Sequence, residues 1–264
     1  MKRLIVSADG FAFNDAVDDG ILALIGAGVV TATSCLTRSP RWCTAARRLD
    51  SSVRARADVG IHIDLTEFES VVHNHAALTL ACYTRSIDAP LLRAVLRTQF
   101  ERFEEALAGA PDYIDGHRHV HQLPVVREVL IDLLTERYPG RMPWVRISRA
   151  GGRVGLKDSL ITSLGSDGLY ARCCGAGVAT NARLLGFYDF IGDAAGYRAR
   201  LSTWVAAAED RDVLMCHPAS RLVAGDRIAA ARLAEFQVLS SPWWTECLGL
   251  QQLRACRGTR CLSP

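Results

Sequence analysis

No apolar stretch in this 264-residue chain is long enough to span a bilayer, which takes about 20 apolar residues in a row. The start, MKRLIVSADG, offers only Leu-Ile-Val before polar residues arrive, too short for the apolar part of a signal peptide. Neither sign of charge dominates: 31 Lys and Arg stand against 28 Asp and Glu, a net charge of +3. Spread as it is along the chain, that balance argues against nucleic acid or a membrane surface as partner. The nine cysteines are odd in number, irregularly spaced and lack any CxxC pair. Reduced thiols and a cytoplasmic location are therefore expected, with Cys256 and Cys261 incidental. Internal repeats, low-complexity tracts and linkers are also missing, so one domain over residues 1–264 is the simplest expectation.

What is present is an ordinary globular composition, 49% hydrophobic and 22% charged, enough to build a core. Short β-like runs alternate with helical periodicity. Strands are expected at 4–9, 29–35, 59–65, 113–117, 144–148 and 213–217. Helices are expected at 14–27 with Asn14 as cap, and at 41–57, 90–108, 125–137, 196–208 and 225–237. Residues 67–88 read as a loop, and the Gly-rich stretch 150–195 shows no clear pattern. The alternation implies a parallel α/β sheet with outer helices, either open and doubly wound or closed into a barrel.

Histidine is scarce, seven in all, yet three of them fall at alternate positions in DGHRHVHQLP, residues 115–124. Polar residues able to do chemistry also close other apolar runs: Asp9 ends the first strand, His62 lies in the third, and His217 ends a late one. Parallel α/β folds bind ligands at the carboxyl ends of their strands, so these distant positions can meet in one place. Each has a plain structural reading alone: a helix cap, a core histidine, a loop contact, a solvated strand face. Together they favour a site. Imidazoles bind divalent ions through nitrogen, and a carboxylate adds charge. If the cluster is extended, His117 and His119 share a face and can chelate together; otherwise one of them joins His62. With an ion to polarise a carbonyl, Asp9 to take a proton from water and His217 to give one to the leaving group, the set suits amide or ester hydrolysis.

The segments RLIVSADGF (3–11), DDGI (18–21), VVTATSCL (29–36), GIHIDLTE (60–67), DGHRHVHQLP (115–124), VRIS (145–148) and LMCHPA (214–219) resemble, in order, those of the YdjC-like carbohydrate deacetylases. That family includes chitooligosaccharide deacetylases of the ChbG type and the HpnK proteins. The resemblance implies a deformed (β/α) barrel, one divalent metal ion (Zn, Mg, Mn or Co) and removal of acetyl from an N-acetylated amino sugar. It implies Asp9 and His217 as catalytic residues, His62 and His117 as metal ligands, and His119, His121 and Arg146 near the substrate. The expected partner is an acetylated amino sugar, with no nucleic acid and no membrane span, and a homodimer is left open. One position departs from the pattern. Where the family motif reads A-D-D-F-G, this chain reads A-D-G-F-A, so Gly10 stands in place of a metal-ligand aspartate. The ion would then recruit Asp9, His119, Asp115 or water, or else the chain is a non-catalytic binder of sugar or regulator of a partner. The loop after the third strand also looks shortened relative to the family.

Overall fold

The computed structural model describes residues 1–68, 74–151 and 165–262. Parts of the loop expected at 67–88 and of the Gly-rich middle lie outside these. Seven parallel strands run in the order β5-β4-β3-β2-β1-β7-β6, with β8 added beside β1. They are β1 (Lys2–Phe11), β2 (Ala32–Cys35), β3 (Asp58–Ile63), β4 (Tyr113–Gly116), β5 (Trp144–Val145), β6 (Leu184–Leu185), β7 (Asp212–Cys216) and β8 (Leu253–Ala255). Parallel bridges Val145↔Thr180 and Ala150↔Leu184 join the two outer strands and curl the sheet into a deformed barrel.

Strands β2, β3, β4 and β7 are buried at every residue, as the unbroken apolar runs of a helix-covered parallel sheet require. Leu4, Ile5, Val6, Ile61, Ile114, Val213 and Leu214 are completely enclosed. Burying each such side chain stabilises the fold by about 1.5–3 kcal/mol relative to leaving it in water. Helices cover the outside. Asn14 caps helix Asp15–Gly26 by accepting from the Val17 N–H, and Asp88 caps helix Ala89–Leu107 in the same way from Leu91. In the latter helix Leu92, Leu96, Phe100, Phe103 and Leu107 form the buried stripe that the helical spacing predicts.

Several expectations need correction. The helix expected at 41–57 is two short ones, Trp42–Ala46 and Ser51–Arg56, because Asp50 accepts from the N–H groups of Ser52 and Val53 and restarts the chain. The stretch read as loop contains helix His75–Tyr83, capped by Asn74. The Gly-rich middle holds helix Ser166–Ala176 and β6. Cys256 and Cys261 form a disulfide rather than two free thiols, since helix Gly258–Cys261 turns the chain back on the end of β8; the other seven cysteines are free. Trp244 packs in the core, with Trp243 partly buried beside it.

Candidate active site

At the carboxyl end of β1 the pairing with β2 slips between Asp9 and Phe11. Gly10 sits in that irregularity at φ +91°, a backbone region that favours glycine. A bulge of this kind re-aims the neighbouring side chain, and here Asp9 turns inward, 3% exposed. Both its oxygens lie in the fork of Arg146, at 2.6 and 2.7 Å. Arg146 follows β5, is fully buried, and also reaches Asp115 Oδ2 at 3.1 Å. Burial alone would push the Asp9 carboxyl up, but the adjacent guanidinium overrides this, with help from His62 and His217, and holds it well below the ordinary range. Asp9 is therefore an anion at any physiological pH.

Asp115 holds His62 from the next strand. The distance from His62 Nδ1 to Asp115 Oδ1 is 2.6 Å, and Ser34 Oγ lies 3.1 Å from the same nitrogen. Burial lowers the His62 pKa and the Asp115 charge raises it; the charge wins. A carboxylate gripping one ring nitrogen is the arrangement that orients metal-binding histidines, leaving Nε2 to act.

The histidine cluster is not a strand. β4 stops at Gly116, and His117–Gln122 form a 3₁₀ turn in which Arg118 (φ 50°) and His119 (φ 59°) are left-handed. Gly116 is needed there: a Cβ would come within 2.8 Å of His121 Nδ1. Two successive left-handed residues splay the imidazoles, so His117 and His119 do not share a face and the joint-chelation reading fails. His117 turns toward β3: its ring centre is 5.6 Å from that of His62, and its Nε2 is 3.5 Å from Glu67 Oε2. Burial lowers the His117 pKa, against the pull of Glu67, so the ring is neutral and able to donate a lone pair. His119 turns the other way, to Ser148 Oγ at 2.9 Å and the Phe187 ring at 5.5 Å. Burial and then Arg146 hold its pKa well below the usual value. His121 is completely buried behind the wall, its Nε2–H donating to the Arg146 carbonyl at 2.7 Å, and burial lowers its pKa to about 4.

The wall so built encloses a cavity of about 860 Å³, lined by Asp9, His62, Glu67, His117, His119 and His217 among others. Phe13, Leu36, Phe187, Tyr188 and Phe190 supply apolar surface. His121 and Arg146, both expected at the substrate, are fully buried and do not reach that surface; Arg146 contacts Asp9 and Asp115, and His121 donates to the Arg146 carbonyl. His217 closes the far side. Its Nε2 is 3.9 Å from Asp9 Oδ2 and its Nδ1 is 3.9 Å from Glu235 Oε1.

Which of these groups fit a cation? Asp9, His62 and Asp115 place donor atoms within 4.8 Å of one another, so this buried trio could hold one. Arg146 already neutralises both of its carboxylates, however, and a dication there would displace or face a fixed positive charge. The imidazoles of His62 and His117, by contrast, line the cavity itself. Two imidazoles sharing an ion at about 2.1 Å place their ring centres roughly 5–6 Å apart, and His62 and His117 stand 5.6 Å apart. His117 Nε2 is buried without a hydrogen-bond partner, an orphan that an ion would satisfy.

Sequence reading missed Glu67, Glu235, Tyr188 and Ser34. Glu235 left a signal: an acid three and four residues from Val238, Leu239 and Ala231, on the apolar face of its helix.

Comparison with known proteins fits this arrangement. A family model described as YdjC-like protein matches residues 3–249. The chain is 32% identical over 149 residues to a carbohydrate deacetylase of Mus musculus, covering 50% of this chain and 47% of that one. It is 29% identical over 256 residues to a carbohydrate deacetylase of Geobacillus stearothermophilus, covering 91% and 90%. The match spans about half the length of the mouse, human and zebrafish relatives. A crystal structure from Enterococcus faecalis V583, of a candidate cellobiose-phosphate cleavage protein, superposes with a TM-score of 0.71 at 20% identity over 99% of both chains, which shows the shared fold.

Proposed function

This chain belongs to the YdjC-like family, and from that premise and the cavity's geometry we propose that it hydrolyses the acetamide of an N-acetylated amino sugar. The observation that carries the reading is the opposition of two proton carriers, Asp9 and His217, 3.9 Å apart across one cavity that also presents His62 and His117. Relatives along most of the chain are a carbohydrate deacetylase and the chitooligosaccharide deacetylase of Serratia marcescens.

His62 and His117 would hold a divalent cation, which when bound polarises the amide carbonyl and acidifies water. The protein's own groups do the rest. Asp9, pinned by Arg146 as an anion, takes the proton of the attacking water. It is a weak base, so it needs a water already made acidic; in return it is never lost to protonation near neutrality. His217 then delivers a proton from Nε2 to the departing nitrogen. Phe13, Phe187 and Phe190 exclude water and offer faces to a sugar ring. Two histidines with oxygens suit zinc, cobalt, manganese or magnesium in differing degree. The reading of the chain as a non-catalytic binder gains no support, because the retained reactive groups converge on the cavity.

The test is release of acetate from N-acetylglucosamine oligomers by purified protein supplied in turn with zinc, cobalt, manganese and magnesium. Turnover with at least one is expected. No acetate with any of them, while the protein stays folded, would remove the proposal. Among the described residues no helix is long and apolar enough to cross a membrane.

A further inference from the structure

Glu235 is completely buried in the middle of helix Ala229–Leu239, and it does not line the cavity. An acid there must be held by donors, and it is. Its carboxylate accepts the backbone N–H of His217 and the hydroxyl of Tyr188, the latter at 2.5 Å. Its Oε1 is the acidic oxygen near His217 Nδ1, at 3.9 Å, and that nitrogen is buried without a hydrogen-bond partner. Two more contacts fix the same residue. Arg232, one helical turn before Glu235, donates to the His217 carbonyl at 3.2 Å, and the Phe190 ring meets the imidazole edge-on at 5.1 Å. Tyr188 is itself wedged among Phe190, Tyr197 and Trp204.

We propose that Glu235, steadied by Tyr188, is the positioning residue that sets the orientation and tautomer of His217. Both ring nitrogens lie 3.9 Å from a carboxylate, Nδ1 from Glu235 and Nε2 from Asp9, but the Asp9 charge is already taken up by the Arg146 fork, so the hydrogen belongs on Nδ1, facing Glu235. That leaves Nε2, the nitrogen that faces Asp9, directed into the cavity as the one that takes up and then gives up the proton used in turnover. The clamp bonds the backbone through one oxygen, fixing where β7 delivers the residue, and sets the charge of the other beside the ring. Helix Ala229–Leu239 thereby becomes part of the site without touching substrate. The inference rests on the proposed role of His217 for its effect on turnover, but not for its effect on the ring.

The test uses full-length protein labelled with ¹⁵N-histidine, the His217 signals assigned by their loss in His217→Gln. The wild type should carry its ring proton on Nδ1. In Glu235→Gln the amide keeps an oxygen for the backbone N–H and turns a donor toward Nδ1, so the proton should move to Nε2. In Tyr188→Phe, which keeps the carboxylate, Nδ1 should stay protonated but with a mixed signal from a freer ring. On N-acetylglucosamine oligomers Glu235→Gln should lower kcat by at least about 10-fold, as loss of an outer-shell partner does, with KM unchanged because Glu235 lies behind the wall. A proton that remains on Nδ1 in Glu235→Gln overturns the proposal. A proton that moves as expected in a protein whose wild type releases no acetate upholds the positioning and removes the deacetylase reading.

Discussion

Replacing Arg146 by Leu tests the electrostatic centre of the molecule. The guanidinium is wholly enclosed and holds two carboxylates, Asp9 at 2.6 and 2.7 Å and Asp115 at 3.1 Å. Leu fills much of its volume but leaves two buried anions with only histidines beside them, His62 at 2.6 Å from Asp115 and His217 at 3.9 Å from Asp9. Removing one member of a buried ion pair costs about 3–5 kcal/mol. At about 2–4 °C per kcal/mol for a chain of this size, Tm should fall by about 6–20 °C. The pH dependence should also change sign. In the wild type the Asp9 carboxyl is depressed below its unfolded value of about 3.9. It therefore contributes stability above that pH, which is lost as the pH falls through the folded value. Without Arg146, burial raises the carboxyl above its unfolded value, and its contribution is lost as the pH rises from about 4. Asp9→Asn in the Arg146→Leu background should then recover most of the loss. Calorimetry of the two single variants and the double variant between pH 4 and 8 measures all of this. A loss below about 1 kcal/mol, or strictly additive effects in the double variant, would refute the clamp.

Four further outcomes are expected. His117→Ala and His62→Ala should each abolish binding of zinc by titration calorimetry, whereas His121→Ala, a change behind the wall, should not; equal losses in all three would favour chelation by the cluster. Gly10→Asp should raise metal affinity despite about 1 kcal/mol of backbone cost at positive φ, since a new Cβ meets only Leu36 Cδ1, at 3.8 Å; no gain in a metal titration would show the ion is misplaced. His217→Ala should leave zinc bound but slow acetate release, and unchanged kcat would remove it as the acid. Finally, His121 has a folded pKa of about 4 against about 6.5 unfolded, so its contribution, about 3 kcal/mol, is whole above pH 6.5 and lost as the pH falls toward 4; a His121→Gln variant should flatten the thermal-stability curve over that window.

The parallel α/β sheet was legible because its strands are apolar runs closed by Asp9, His62 and His217, and such runs need no partner to be recognised; that it curls into a barrel rather than staying open came only from the family resemblance. Convergence of those three was legible from the strand-end rule. The direction of the histidines was not: alternate spacing implied one face, and the left-handed Arg118 and His119, which carry no glycine to announce them, point the rings apart. Arg146 was placed near the site but on the wrong side of its wall, since a sequence does not say whether a long cation ends in a cavity or on a buried acid. Glu67 and Glu235 went unseen because each becomes part of the site only through residues far along the chain: His117 for one, His217 and Tyr188 for the other.

The seam that closes the barrel runs through Val145 and Ala150, and Arg146 lies between them. The counter-charge for Asp9 is thus delivered from where the sheet curls back on itself, on a residue whose backbone N–H is held by the Ile114 carbonyl of β4. Without that cation Asp9 would keep only His217, at 3.9 Å, while Asp115 would keep His62. The curl of the sheet and the charge balance of its interior therefore meet at one side chain, and a change at Arg146 touches both.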